Sequence, residues 1–262
     1  MIYYHVSFTN PLTHFIDITI TIPHHLGQEL YLQLPAWRPG RYELQHFAQK
    51  LRHVKATANG EEAAISKVTK DRWLVQTKGA EQVEVSYSFY ARQMDGGGSW
   101  LDEEQLYLNP INCLMAVEER EQEACELKVA IPKDWQIACG LPEKEKHTLE
   151  GRNFDELVDS PFIASGNLKK ETFEVDGILF HIWMQGDCQP DWERIRRDFI
   201  AYTQEQLEVF GDFPVKEYHY LNEILPYRFY HGVEHSHSTV ITLGPGELLM
   251  APALYKELLG VS

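Results

Sequence analysis

The segment FIDITITI, residues 15–22, places Ile16, Ile18, Ile20 and Ile22 at every second position, with Asp17, Thr19 and Thr21 between them. A period of two puts all four isoleucines on one face of a strand, whereas a helix would scatter them around its axis. The alternation returns in QELYLQLP with Leu30, Leu32 and Leu34, and in QVEVSYSFYA with Val83, Val85, Tyr87 and Phe89. Further strands are expected over 51–58, 72–77, 106–109, 112–118, 125–131, 171–175 and 178–184, separated by the turn signals NPL, PG, NGEE and DGGGS. Many short strands punctuated in this way predict a mainly β domain over residues 1–185, an antiparallel sandwich or saddle.

The texture changes near residue 187. In QPDWERIRRDFIAYTQEQLEVFG, Trp192, Ile195, Phe199, Tyr202 and the pair Gln206/Val209 recur at helical spacing. Asp191 stands where an N-cap belongs, and Gly211 closes the run. A strand in KEYHYLNEIL, a strand pair in RFYHGVEHSHSTVITL and an apolar helix in ELLMAPALYKELLG follow. Helix, strand, strand and helix form an α+β order, so a second domain is expected over 186–262.

Charge narrows the partners. The formal net charge of −15 disfavours nucleic acid and anionic membranes, since both are polyanions. Cys113, Cys125, Cys139 and Cys188 lie far apart with no C-x-x-C spacing, which predicts reduced, buried thiols and neither a zinc knuckle nor a redox pair. MIYYHVSFTN has no basic segment followed by an apolar core, and no apolar run approaches the ~18 residues of a membrane span. The cytoplasm is the expected location.

The stretch FYHGVEHSHS, residues 229–238, holds His231, His235 and His237 around Glu234. His residues four apart suit zinc on a helix, but glycine and β-branched neighbours favour a strand here. On a strand the three histidines share one face, and His231 stands about 13 Å from His235, too far for one ion. His235 and His237 remain a candidate ion-binding pair. Glu234 then points to the opposite face. An exposed strand edge offers backbone groups to an extended peptide, Gly232 leaves room for that peptide, and a carboxylate at the groove's end suits an amino terminus.

Other motifs are read structurally. Trp37, Pro39, Gly40 and Tyr42 in LPAWRPGRYELQHF suggest a Pro-Gly turn under an aromatic ring. MDGGGSWLD lacks the Lys-Ser/Thr of a phosphate loop and reads as a flexible hairpin tip, while LVDSPFIASG lacks a G-x-S-x-G elbow and reads as a turn.

Five segments in order, PLTHFIDITI, LPAWRPGRYELQHFA, RWLV, LVDSPFIASG and YHGVEHSHST, resemble the glycyl aminopeptidase family. The resemblance spans nearly the whole chain. It implies a zinc metallopeptidase with an N-terminal β domain, a thermolysin-like catalytic domain beginning in the α+β part, and a PDZ domain in the parent protein. It also implies that Glu234 holds the α-ammonium of a peptide with a free N-terminus, that Gly232 and Val233 pair with the peptide backbone, and that His235 belongs to the same binding segment. His231 replaces a glycine of the family's GGLEH-like segment and is expected to narrow the groove.

The family's H-E-x-x-H is missing from the sequence. The resemblance therefore implies that zinc, its ligands and the general base belong to the parent protein, that this chain binds no metal and is inactive alone, and that it is truncated. Truncation predicts exposed apolar surface on the elements from roughly residue 187 onward, the final helix included, with oligomerisation or disorder. The alternatives are a peptide- or protein-binding β module without chemistry, and an independent metal site at His235/His237.

Overall fold

The computed structural model describes residues 1–38 and 43–262, Val261 by its backbone alone. Pro39, Gly40 and Tyr42 of the expected Pro-Gly turn lie outside these residues. The chain divides into two compact units. One comprises Met1–Gln93, Gly98–Lys133 and Leu141–Asp159, and the other Met94–Gly97, Asp134–Gly140 and Ser160–Ser262. The boundary expected near residue 185 falls within the second unit, between a strand, Ile178–Gln185, and a helix, Trp192–Phe210.

The first unit is β-rich. Its eight-stranded sheet runs Glu143–Glu145, Thr148–Gly151, Cys125–Val129, Ile2–Ser7, Phe15–Pro23, Gln82–Tyr90, Leu51–Ala58, Glu61–Ala63. Neighbours are antiparallel except Ile2–Ser7 with Cys125–Val129. A four-stranded antiparallel sheet runs Ala116–Val117, Glu29–Gln33, Arg72–Gln76, Ile65–Lys67. The period-two reading holds: Ile16, Ile18, Ile20 and Ile22 are fully buried, as are Val83, Val85 and Phe89.

Two departures have local causes. The central strand Ile2–Ser7 buries Ile2, Tyr4 and Val6, but aromatic and histidine residues blur its pattern. The run expected as a strand over 112–118 is a strand only at Ala116–Val117, after a 3-10 turn at Pro110–Asn112. Residues 113–117 are all buried, so both faces are apolar and no alternation exists to be read. Two buried phenols anchor this segment: Tyr4 donates to the Met115 carbonyl at 3.0 Å and Tyr87 to that of Cys113 at 2.7 Å. All four cysteines are buried and unpaired as disulfides, and burial raises the thiol pKa of Cys113.

The second unit carries a five-stranded mixed sheet in the order Lys169–Val175, Ile178–Gln185, Glu217–Ile224, Ser238–Gly244, Phe229–Glu234. Ile178–Gln185, Glu217–Ile224 and Ser238–Gly244 are parallel, and Phe229–Glu234 returns antiparallel at the edge. The parallel step between the first two of these requires a crossover, which the helix Trp192–Phe210 provides. Asp191 caps it by accepting from the Arg194 N–H at 3.0 Å, and Gly211 ends it in the left-handed conformation at φ 77°.

The helix buries Ile195 and Phe199 among Phe180, Ile182, Tyr220 and Ile241. Val209, expected on that apolar face, is 77% exposed, and Leu207 packs in its place. The final helix, Pro252–Val261, buries Leu254, Tyr255 and Leu258. The apolar exposure expected from roughly residue 187 onward lies at Val209, Phe210, Tyr227, Tyr230 and Leu248, outside the final helix itself. LVDSPFIASG, read as a turn, begins on the last two residues of a short helix, Phe154–Val158, and contains a fully buried strand, Phe162–Ser165. Among the described residues no helix is long and apolar enough to cross a membrane.

Candidate functional site

Phe229–Glu234 is the last strand of its sheet, and among the described residues no strand pairs with its outer side. The hairpin to Ser238–Gly244 closes with the His235 N–H donating to the Ser238 carbonyl at 2.8 Å. Backbone groups alternate sides along a strand. With the His235 amide turned inward, those of Val233 and His231 also face the partner strand, whose register places them opposite Val240 and Thr242. The amides and carbonyls of Glu234, Gly232 and Tyr230 face outward. Of the pair expected to meet a peptide backbone, Gly232 is therefore so oriented, and Val233 is turned toward its own sheet.

Side chains divide the other way. Tyr230, Gly232 and Glu234 stand opposite Leu243, Ile241 and Thr239 and share the sheet face on which Ile241 and Leu243 join the helix-packed core. Glu234 is exposed, and no hydrogen bond or ion pair from the described residues reaches its carboxylate. His231 and Val233 occupy the opposite face. The expectation that His231, His235 and His237 share a strand face is corrected, because the strand ends at Glu234 and His237 sits in the turn. His235 and His237 belong to no three-ligand cluster among the described residues.

His231 is engaged by the glycine segment. The Gly96 N–H donates to its Nδ1 at 3.2 Å, and the Gly97 N–H donates to Asp95 Oδ1 at 2.9 Å. A Cβ on Gly96 would stand 3.1 Å from Val233 Cγ2 and 3.5 Å from His231 Nδ1. Gly96, Gly97 and Gly98 are buried, which corrects the reading of MDGGGSWLD as a flexible tip. The imidazole is turned toward Gly96, on the face opposite Glu234, so it does not project over the carboxylate's side of the strand.

A second constellation escaped the sequence reading. His181 and His219 face each other across parallel strands, and Glu217 lies two residues before His219. Their ligand atoms lie within 4.8 Å of one another, the one such group among the described residues. The signal was E-x-H in KEYHY beside the histidine of FHIW, residues at strand spacing on one face.

Its chemistry is set by the ring protons. Trp183 Nε1–H donates to His219 Nδ1 at 3.1 Å, so that nitrogen carries the lone pair and Nε2 the hydrogen. His219 Nε2 lies 3.4 Å from Glu217 Oε1, and His181 Nε2 lies 2.6 Å from the same oxygen, with Thr172 Oγ1 3.0 Å from His181 Nδ1. Burial lowers the pKa of His219 to about 3, helped by the neighbouring His181 and Lys170. Burial, then Lys170, also lowers that of His181, against the opposing pull of Glu217. Both rings are neutral near pH 7, so Glu217 is held by a hydrogen bond from a neutral donor, His181, with His219 Nε2 close by.

Residues 3–166 match the Peptidase M61 N-terminal domain family. No curated protein matches the chain. An aminopeptidase N family protein from Idiomarina loihiensis is similar in structure, with TM-score 0.87 and 27% identity over 92% of this chain and 42% of that one. An M1 zinc metallopeptidase from Deinococcus radiodurans has the same fold, with TM-score 0.53 and 14% identity over 92% of this chain and 59% of that one. A variant of the Deinococcus enzyme bound to a Tyr-Ser-Ala substrate gives TM-score 0.52 at 14% identity, over 94% of this chain and 59% of that one. The chain thus spans about half the length of these structures.

Zinc, which these likenesses imply, does not fit the residues present. There is no H-E-x-x-H in the sequence. His181, Glu217 and His219 offer the donor types of a zinc site. A zinc-bound Nε2, however, needs the proton on Nδ1, where the indole N–H of Trp183 already points.

Proposed function

The chain belongs to the Peptidase M61 N-terminal domain family, and from that premise we propose that it forms the peptide-docking part of an aminopeptidase. An extended peptide pairs with the outer side of Phe229–Glu234 through the outward N–H and C=O of Gly232, where a missing side chain allows close approach. Its α-ammonium is held by Glu234. Val233 and His235 shape the strand without pairing with the peptide. The whole enzyme removes N-terminal glycine or another small residue with zinc; the present residues bind and orient the peptide and do not cleave it alone.

The observation that carries this reading is the exposed Glu234 carboxylate, which among the described residues has no partner and ends a strand whose outer side pairs with no other strand. Titration of the isotope-labelled chain with Gly-Gly-Gly and with its N-acetylated form tests the reading. The free peptide shifts the amide resonances of residues 230–234, and acetylation abolishes the shift.

A further inference from the structure

His231 and Gly96 are joined by a bond that peptide docking alone does not require. Gly96 N–H reaches His231 Nδ1 at 3.2 Å, Gly96 is buried, and its α-carbon stands so close to Val233 that a methyl group would crowd Val233 Cγ2 at 3.1 Å. The segment Met94–Gly97 thus presses on the face of the edge strand opposite Glu234. His231 and Val233 flank Gly232, and both are touched. Backbone groups that meet a peptide must be fixed before it arrives, because any ordering on binding subtracts from affinity.

We propose that Gly96 and His231 form a clasp that fixes the edge strand, making His231 a positioning residue that orients the outward amide of Gly232. The clasp rests on the peptide-docking reading above. Its geometry explains why a histidine is useful at position 231. The ring supplies an acceptor, Nδ1, to the Gly96 N–H. The ring acts through Gly232 and does not touch the peptide.

The test uses the chain as it stands, with Gly-Gly-Gly as probe. Three forms are compared: the native sequence, His231→Leu, which removes the acceptor, and His231→Gln, whose carbonyl restores one. Amide hydrogen exchange at Gly96 and Gly232 reports the clasp, and peptide titration reports docking. In His231→Leu the Gly96 amide exchanges at least tenfold faster and peptide affinity falls about threefold to tenfold. His231→Gln recovers part of both, which a loss of packing alone would not allow. Native chemical-shift dispersion elsewhere shows that each variant is folded, and the glutamine form keeps the test alive if the leucine form is not. If the native chain binds the peptide and His231→Leu changes neither exchange nor affinity, the clasp is refuted while the docking reading stands. If the native chain binds no peptide, the docking reading fails and the positioning role fails with it.

Discussion

The indole N–H of Trp183 donates to Nδ1 of His219 across 3.1 Å, and that bond decides the chemistry of the cluster around it. Ligand types and distances alone describe two histidines and a glutamate fit for a divalent ion. The proton assignment forced by Trp183 leaves His219 Nε2, the atom nearest Glu217, carrying a hydrogen and not a lone pair.

The first prediction follows. Zinc does not bind the native chain stoichiometrically at micromolar concentration. Trp183→Phe removes the competing donor, lets His219 move its proton to Nδ1, and raises zinc affinity at least tenfold. Competition against a chromophoric chelator measures both, and equal affinities would show that the tautomer does not control the cluster.

Acid pH gives the second. His219 is neutral when folded, with its pKa lowered to about 3, whereas an unfolded chain protonates histidine near ~6.5. Below that pH the unfolded state binds more protons, so stability falls as pH drops from about 6.5 toward about 3 and is unaffected above. The slope from this residue is about 1.4 kcal/mol per pH unit. His219→Gln, which keeps an acceptor for Trp183, flattens the dependence by about that amount. Urea midpoints at pH 7 and pH 5 in the two proteins give the comparison.

The third concerns Gly96. Its φ is not in the left-handed region, so alanine there costs no backbone strain, but the methyl group crowds Val233. Gly96→Ala is expected to destabilise by about 1–3 kcal/mol through overpacking. A thermal midpoint unchanged within error would mean that the loop yields.

Much of this fold is written in residue periodicity. Ile16 through Ile22 announce a half-buried strand because one face is core and the other is not. The helix after residue 191 is bounded by its own chemistry, Asp191 at one end and Gly211 at the other. The run 112–118 reads as a longer strand than it forms because burial of 113–117 on both faces leaves no contrast. At the candidate site, the separation of Glu234 from His231 onto opposite faces could be read from alternation, whereas the edge position of the strand follows from the sheet order. Which amides face outward could not, since that depends on where the hairpin closes, and the His235–Ser238 bond sets it. The glycines of MDGGGSWLD look mobile in the sequence because the contact of Gly96 with His231 joins residues 135 positions apart.

The fourth prediction tests the helix that carries the crossover. Asp191→Ala removes the acceptor for the Arg194 N–H and is expected to cost about 0.5–2 kcal/mol. Asp191→Asn retains an acceptor and should keep most of the stability; urea unfolding followed by circular dichroism distinguishes them.

The most direct test of peptide docking is the affinity of the native chain and of Glu234→Gln for Gly-Gly-Gly, measured by amide shift titration. Glu234 is exposed, so its ion pair with the peptide's ammonium is worth about 0.2–1 kcal/mol in this chain. The glutamine variant should therefore bind about 1.5-fold to fivefold more weakly, with shifts still centred on residues 230–234. N-acetylation of the peptide should remove the difference between the two proteins. Equal affinity of both proteins for the free peptide, or shifts that bypass the Phe229–Glu234 strand, would contradict the account.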